Sequence, residues 1–149
     1  MFRGQFVHTI DAKGRVSLPA RFRDALAADP DNRLVLTPAP FDPCLHLYSM
    51  SAWLEFERKI SELSSLDPHI VRFRRIYVSA AVECELDRTG RVLVPPHLRE
   101  KAGLERDALW AGMGATVELW SKDRWDAALA LSAEDEEAFK RAVMEQIRI

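Results

Sequence analysis

Short apolar stretches, several of them alternating with polar residues, occur in two series along the chain. Alternation with a period of two is typical of a β-strand that buries one face. The first series predicts four strands and the second series predicts four more. The predicted strands lie at 6–10, 15–18, 34–37, 45–47, 82–86, 91–94, 108–112 and 116–120.

Helical patterns follow the strands in each series. A proline is well placed to begin a short helix at 19–28 in the first series, and another proline begins a helix that stops at Gly103 in the second. Ser49 and Ser121 are predicted N-caps of two further helices. After the second series, Ser132 resembles the first residue of a capping box, which opens an amphipathic C-terminal helix.

The two series are copies of one another. Residues 11–23 and 87–99 share Asp, Gly, Arg, Val, Pro and a final Arg in register, and a second matching block follows each of them in the same order. Two blocks in the same order indicate an internal duplication. We therefore expect four segments: repeat 1 at 1–54, a helical linker at 55–81, repeat 2 at 82–126 and a C-terminal helix at 127–149.

Composition limits the class of protein. The chain has 149 residues, of which 48% are hydrophobic and 30% are charged, as in a folded protein with a single core. The start lacks the pattern of a secretory signal, and no apolar run is long enough to span a bilayer. Cys44 and Cys84 belong to no CxxC motif. We expect a cytoplasmic protein with two free thiols and no membrane contact.

The net charge of −2 at first argues against a nucleic-acid ligand. The charges are segregated, however. Residues 11–23 sum to +3 and residues 87–99 to +2, whereas residues 126–137 sum to −5. The two copies are therefore locally basic, and a polyanion could meet them without meeting the acidic segment.

Catalytic motifs are nearly absent from the sequence. There is no GxSxG, no HExxH and no phosphate-binding loop. The four histidines share no ligand spacing, so we expect no metal and no other cofactor; they are His8, His46, His69 and His97. We accordingly expect neither an enzyme nor a small-molecule substrate.

The strongest chemical signal is the duplicated Asp-x-x-Gly-Arg motif at 11–15 and 87–91. Asp and Gly at these positions predict a tight turn whose glycine has positive φ. Asp and Arg on opposite sides of one turn can meet, and the carboxylate would then fix the guanidinium for contact with guanine or phosphate. The simpler alternative is a stable turn that was copied. That alternative leaves unexplained why Arg23 and Arg99 also recur.

The two copies differ at the turn itself. Lys13 adds a cation that could reach a phosphate, and Thr89 stands at the equivalent position of the second copy. We therefore expect the first copy to bind more strongly.

Several motifs, in order and at the right spacing, closely resemble the bacterial MraZ family. They are Met1-Phe2-Arg3-Gly4, the 11–15 motif with Pro19 and Phe22-Arg23, Leu63-Ser-Ser-Leu66, the 87–91 motif with Leu98-Arg99 and Ala102-Gly-Leu104, and Glu118-Leu-Trp120. The resemblance implies an α+β fold of the SpoVT-AbrB type. Its duplicated β-α-β halves would form one swapped-hairpin (double-split) β-barrel flanked by helices. The second copy departs from the first at Pro95-Pro96, which stands where the first copy has Pro19-Ala20.

The resemblance also implies a sequence-specific DNA-binding transcriptional regulator, a repressor of the division and cell-wall gene cluster that includes its own promoter. A ring homo-oligomer would display the hairpins to direct repeats in double-stranded promoter DNA, so the protein would be nucleoid-associated. The resemblance ties the Asp-x-x-x-Arg motif to DNA contact. The full set of candidate DNA-binding residues is Arg15, Arg91, Lys13, Asp11, Asp87, Arg3, Arg23 and Arg99.

Two other classes of function stay open at this stage. A protein-binding module could use the tail at 133–149 to hold a partner, as some AbrB-like antitoxins do. An enzyme has no supporting motif, and turnover that depends on a named His or Ser would be needed to support it.

Overall fold

The computed structural model describes residues 1–147, so the last two positions of the predicted C-terminal helix lie outside the described residues. The chain has a mixed α+β fold, in agreement with the predicted class. Every predicted strand is present, with ends within two residues of the prediction. The strands are β1 Gln5–Thr9, β2 Arg15–Ser17, β3 Arg33–Pro38, β4 Leu45–Ser49, β5 Val82–Glu85, β6 Arg91–Leu93, β7 Asp107–Gly112 and β8 Val117–Ser121.

Helices connect and flank the strands. The Ser49 and Ser121 side chains accept hydrogen bonds from the N–H groups of the next helices, as predicted for N-caps. Gly103 ends its helix in the left-handed conformation. The helices are α1 Ala20–Ala27, α2 Met50–Ser61, α3 Pro68–Phe73, α4 Pro96–Ala102, α5 Lys122–Leu129 and α6 Ala133–Ile147.

The linker contains one element that the sequence pattern does not predict. After α3, residues Arg74–Val78 form a π-helical turn, in which the Ser79 N–H donates to the Arg74 carbonyl five residues earlier. The wider turn places Tyr77 on the buried side. It leaves Arg74 free to donate to the carbonyls of Ile60 and Leu63, where α2 ends.

Six strands form one antiparallel sheet in the order β1-β7-β8-β4-β3-β5. β4 and β8, the equivalent strands of the two copies, pair at the centre. At each edge, the first strand of one copy pairs with a strand of the other: β1 with β7, and β5 with β3. The two copies therefore exchange strands, and neither copy forms a sheet from its own strands alone.

The strand after each turn does not pair with the strand before it, as it would in a simple hairpin. Only one ladder bond links the two sides of each turn, from Asp11 N–H to Arg15 C=O and from Asp87 N–H to Arg91 C=O. Beyond the turn, β2 leaves β1 and pairs with β6 of the other copy as a separate two-stranded sheet. Pairing satisfies the backbone N–H and C=O groups that these two three-residue strands direct toward each other.

The core lies between the two sheets and the short helices. Val16 and Val92 are fully buried on the inner face of the small sheet, and α1 and α4 contribute Phe22 and Leu98. The β1 side is closed by Phe6, whose ring meets Phe22 edge to face with centroids 5.4 Å apart. The backbone turns that carry the Asp-x-x-x-Arg motifs are thus anchored directly on buried residues.

The C-terminal helix begins as predicted, since the Asp135 N–H donates to Ser132 Oγ. α6 buries no residue within the chain, however, and Phe139 and Ile147 are 59% and 62% exposed. Within residues 1–147, no helix is both long and apolar enough to cross a membrane.

Candidate nucleic-acid interface

The first motif forms a closed turn around its aspartate. Asp11 Oδ1 accepts hydrogen bonds from the N–H groups of Lys13 and Arg15. Asp11 Oδ2 accepts from Arg15 Nε at 2.7 Å, and Gly14 has φ of 90°. The meeting of aspartate and arginine predicted from the sequence is confirmed. The contact uses Arg15 Nε. Within residues 1–147, no atom accepts a hydrogen bond from Nη1 or Nη2 of Arg15.

The second motif repeats this geometry. Asp87 Oδ1 accepts from the N–H groups of Thr89 and Arg91, and Asp87 Oδ2 accepts from Arg91 Nε at 2.8 Å. The Thr89 hydroxyl also donates to Asp87 Oδ1. The first turn presents the exposed Lys13 ammonium group. At the equivalent position of the second turn, the Thr89 side chain is instead hydrogen-bonded to Asp87.

Pairing of β2 with β6 joins the two motifs into one surface. Arg15 lies opposite Leu93, and Ser17 lies opposite Arg91. Side chains of opposed residues share a face of a sheet, so both arginines lie on the face away from buried Val16 and Val92. Arg91 Nη1 also lies 3.8 Å from Asp11 Oδ2, which links the two turns. We call the face formed by Asp11, Arg15, Asp87 and Arg91 the arginine face.

The recurrence of Arg23 and Arg99 has a structural cause. Each crosses to the turn of the other copy: the Arg99 side chain lies against Gly14, and the Arg23 side chain lies against Gly90. A Cβ at Gly14 would stand 2.7 Å from Arg99 Nε and from the Val94 carbonyl. Arg99 Nε is buried without a hydrogen-bond partner among residues 1–147. These two arginines extend the basic surface around the turns.

Not every candidate residue joins this surface. Lys13 is exposed in the first turn, next to the arginine face. Arg3 precedes β1, with its backbone beside Gly112. Seven residues separate Arg3 from Asp11, and the five that form β1 span about 17 Å on their own. The structure therefore gathers all the predicted site residues except Arg3.

The electrostatics of the turns keep both aspartates ionised. The Arg15 backbone N–H is the largest cause that lowers the pKa of Asp11, and the Arg15 side chain adds to it. The Arg91 backbone N–H does the same for the pKa of Asp87. Hydrogen bonds to the charged form of a carboxylate favour that form. Each guanidinium is therefore held by a carboxylate whose charged form is favoured, and about a third of each arginine side chain is exposed.

Such a surface can bind a polyanion in one orientation. Fixing Nε restricts the rotation of the guanidinium, which lowers the entropy lost on binding. The terminal nitrogens can then donate in parallel to a guanine edge or to phosphate oxygens. Arg15 and Arg91 are arranged as a pair by the small sheet, so one ligand can meet both.

The structure brings together a second polar group that the sequence did not predict. Glu118 lies opposite His46 in the β4–β8 pairing, and Cys44 is buried beside them. Burial is the largest cause that raises the pKa of the Cys44 thiol, whereas a hydrogen bond with His46 lowers the pKa of Glu118. The sequence does contain one indication of this group. Cys44 and His46 are two residues apart at the start of a predicted strand, and residues two apart in a strand share a face.

Comparison with known proteins assigns the chain to a family. The family model described as "MraZ protein, putative antitoxin-like" matches twice, at residues 1–76 and 77–146. Three relatives are each named "Transcriptional regulator MraZ". The relative from Anaeromyxobacter dehalogenans strain 2CP-C is 47% identical over 87% of this chain and 90% of its own length. The relative from Thermomicrobium roseum is 46% identical over 89% and 90%, and that from Caldanaerobacter subterraneus is 43% identical over 85% of each chain. With both halves matched, the chain belongs to the MraZ family.

Proposed function

We propose that this protein is a transcriptional regulator that binds double-stranded promoter DNA through the arginine face. The observation that carries the proposal is the pairing of β2 with β6, which sets two aspartate-held arginines on one face of the small sheet. The relatives bear the name of a transcriptional regulator, and no catalytic motif competes with this role. The protein acts as a binding protein and not as an enzyme.

The finer parts of the proposal concern the target. The protein represses the division and cell-wall gene cluster, including its own promoter, and is associated with the nucleoid in the cytoplasm. Arg15 and Arg91 read bases, Lys13 reaches a phosphate, and Arg23 and Arg99 strengthen the local field. Asp11 and Asp87 orient the arginines without touching DNA themselves. Arg3 would contact DNA only beyond the arginine face.

We further infer that the four segments predicted from the sequence, 1–54, 55–81, 82–126 and 127–149, act as two repeats, a linker and a tail. The two sheets would wrap into one swapped-hairpin barrel. Hydrogen bonds between the turns and strands of opposite copies support this closure: Leu18 N–H donates to Gly90 C=O and Val94 N–H donates to Gly14 C=O.

The first experiment removes one arginine at a time. Arg15→Ala should abolish binding to promoter DNA in a gel-shift assay, and Arg91→Ala should weaken it at least about fivefold, because a bidentate contact contributes about 1–3 kcal/mol. Arg58→Ala is the matched control: Arg58 is an exposed arginine of α2 that pairs with Glu55 and Glu62. Unfolding curves should show that the variants are folded. Unchanged affinity in both hairpin variants would contradict the proposal.

Salt dependence provides a second readout. DNA binding that neutralises several phosphates weakens steeply as salt rises, because counterions are released. Lys13→Ala should lower the slope of log affinity against log salt by about one. It should lower affinity by a similar factor for specific and non-specific DNA, whereas Arg15→Ala should lower the affinity for specific DNA more.

The protein also assembles into a ring homo-oligomer in this proposal. The exposed apolar side chains of α6 support self-association, since a monomer gains nothing from them; they include Phe139, Met144 and Ile147. Repeated arginine faces would meet direct repeats about 34 Å apart, one helical turn of DNA, and would bind with avidity. Mass determination in solution, with and without promoter DNA, tests this assembly. A monomer under both conditions would contradict it.

A further inference from the structure

The outer face of the six-stranded sheet carries a polar cluster that the arginine face does not use. Cys44 and His46 are two residues apart, so their side chains point to the same face, opposite to the buried Leu45 and Leu47 of the core. Glu118 is the direct cross-strand partner of His46. The three side chains come from both repeats, and they meet where β4 and β8 pair.

The donor atoms of this cluster converge. His46 Nε2 lies 3.4 Å from Glu118 Oε2, and one ligand atom of each side chain, with Cys44 Sγ, lies within 4.8 Å of the others. Ligands bound at zinc distances to one tetrahedral ion stand about 3.3–3.7 Å apart. The imidazole and carboxylate are already at that spacing, and the thiol needs only a small movement.

Neighbouring groups hold two of the donors in place. His46 Nδ1 lies 2.6 Å from the Tyr77 hydroxyl. In the tautomer that donates Nδ1–H to Tyr77, Nε2 presents its lone pair to the cluster. Glu118 Oε1 accepts a hydrogen bond from Trp120 Nε1 at 3.0 Å, which leaves Oε2 available. Metal-bound histidines and carboxylates in proteins are characteristically oriented by such outer hydrogen bonds.

We propose that Cys44, His46 and Glu118 bind one Zn²⁺ ion, with water as the fourth ligand. A thiolate, an imidazole and a carboxylate suit zinc, whereas Mg²⁺ and Ca²⁺ take oxygen ligands. Zn²⁺ replaces the thiol proton of Cys44, which passes to solvent, and no electron is transferred. The His46 and Glu118 side chains are 18% and 13% exposed, so the ion has a way in from the outer face.

The bound ion would tie the two repeats together. β4 belongs to the first copy and β8 to the second, and their pairing at the sheet centre extends over three residue pairs, Leu45 to Leu47 with Val117 to Leu119. A Zn²⁺ ion held by Cys44 and His46 on one side and by Glu118 on the other adds a cross-link to this seam. Its role is structural, and it is independent of DNA contact.

The test uses the full-length protein, reduced and stripped of metal with a chelator. Co²⁺ serves as the probe, because a cobalt–thiolate bond gives a charge-transfer absorption band in the near ultraviolet. We expect one equivalent of Co²⁺ to produce the band, Zn²⁺ to displace it, and Zn²⁺ to raise the melting temperature. Cys44→Ala should abolish the band. Cys84→Ala is the matched control, since Cys84 is the other cysteine and lies on β5, and it should keep the band.

Two more variants keep the test decisive. His46→Gln alters a partly exposed residue, so it reports on metal affinity even where Cys44→Ala does not fold, and it should weaken Co²⁺ binding at least tenfold. Tyr77→Phe removes the group that orients His46 and should weaken binding about 10- to 100-fold while the band itself remains.

The alternative explanation is a plain ion pair between His46 and Glu118. In that case the wild type shows neither a band nor a zinc-dependent melting shift, and the proposal is wrong. A band that survives Cys44→Ala or disappears in Cys84→Ala would also overturn it.

Discussion

Arg15 and Arg91 each use one nitrogen, Nε, to bind the carboxylate four residues earlier. The same aspartates accept the backbone N–H groups that close the turns. One side chain thus shapes the turn and sets the arginine that extends from it. A glutamate would place its carboxylate one methylene farther out and could not do both with the same geometry. The recurrence of this residue pair follows from that double requirement.

Gly14 is required for two reasons: its φ is positive, and a Cβ would collide with the other copy. Substitution of Gly14 and of Gly114 can separate the two effects. Gly14 has φ of 90°, and an added Cβ would stand 2.7 Å from the Val94 carbonyl, which belongs to the backbone and cannot move aside easily. Gly114 has a similar φ of 85° but open space around it, with only the end of Met1 at 3.4 Å. Gly114→Ala should cost about 1 kcal/mol of unfolding free energy, and Gly14→Ala should cost about 2–3 kcal/mol. Urea unfolding measures both, and equal costs would show that contact with the other copy adds nothing.

At the scale of elements, the two sheets are joined by more than the turns. Trp110 of β7 is fully buried, and its Nε1 donates to the Ser17 carbonyl of β2 at 2.9 Å. This hydrogen bond joins the large sheet to the small sheet and sets the distance between them at this point. The position of the arginine face therefore depends on a tryptophan from the other copy.

Replacing that tryptophan should have a measurable cost. Trp110→Phe leaves the Ser17 carbonyl without its donor and leaves a void in the core, so we expect a loss of about 2–4 kcal/mol. Trp53→Phe is the comparison: Trp53 is also buried, but its Nε1 donates to Glu57, whose carboxylate is partly exposed and can bind water instead. Thermal unfolding should show the larger decrease for Trp110→Phe. The reverse order would contradict this account of the joint between the sheets.

The sequence predicted the strands, the turns and the aspartate–arginine contacts, because those depend on short-range patterns that each copy shows twice. It could not predict from residues alone that β2 pairs with β6, since three-residue strands carry no information about their partner. The π-helical turn at Arg74–Val78 was missed because a helical wheel assumes 3.6 residues per turn. The Cys44, His46 and Glu118 cluster was missed because its members are distant in the sequence, and only the register of β4 with β8 brings them together.

At the scale of the whole molecule, the two copies are folded into each other. Both edges of the large sheet, its centre and the small sheet are all formed by strands from opposite copies. The unpaired strands of an isolated copy would have exposed backbone groups and a divided core. Stability is therefore a property of the pair.

Cutting the chain between the copies tests this dependence. Residues 1–76 and residues 77–149, produced separately, should each lack a cooperative unfolding transition, because each lacks the partners of its edge strands. Mixing them should restore the transition and the near-ultraviolet circular dichroism of the intact chain. A fragment that melts cooperatively as a monomer would show that one copy is self-sufficient. Cross-linking and mass measurement are needed to exclude a dimer of like fragments.

The exchange of strands also sets the order in which the protein can mature during synthesis. β1 leaves the ribosome before every other strand of its sheet, yet Gln5 pairs with Ala111 of β7, which is synthesised much later. Until β7 emerges, β1 and the apolar residues beneath it have no partner, and contacts of such long sequence separation form slowly. The nascent first copy therefore exposes unpaired strand edges and apolar surface until the second copy is made, and such surfaces favour aggregation.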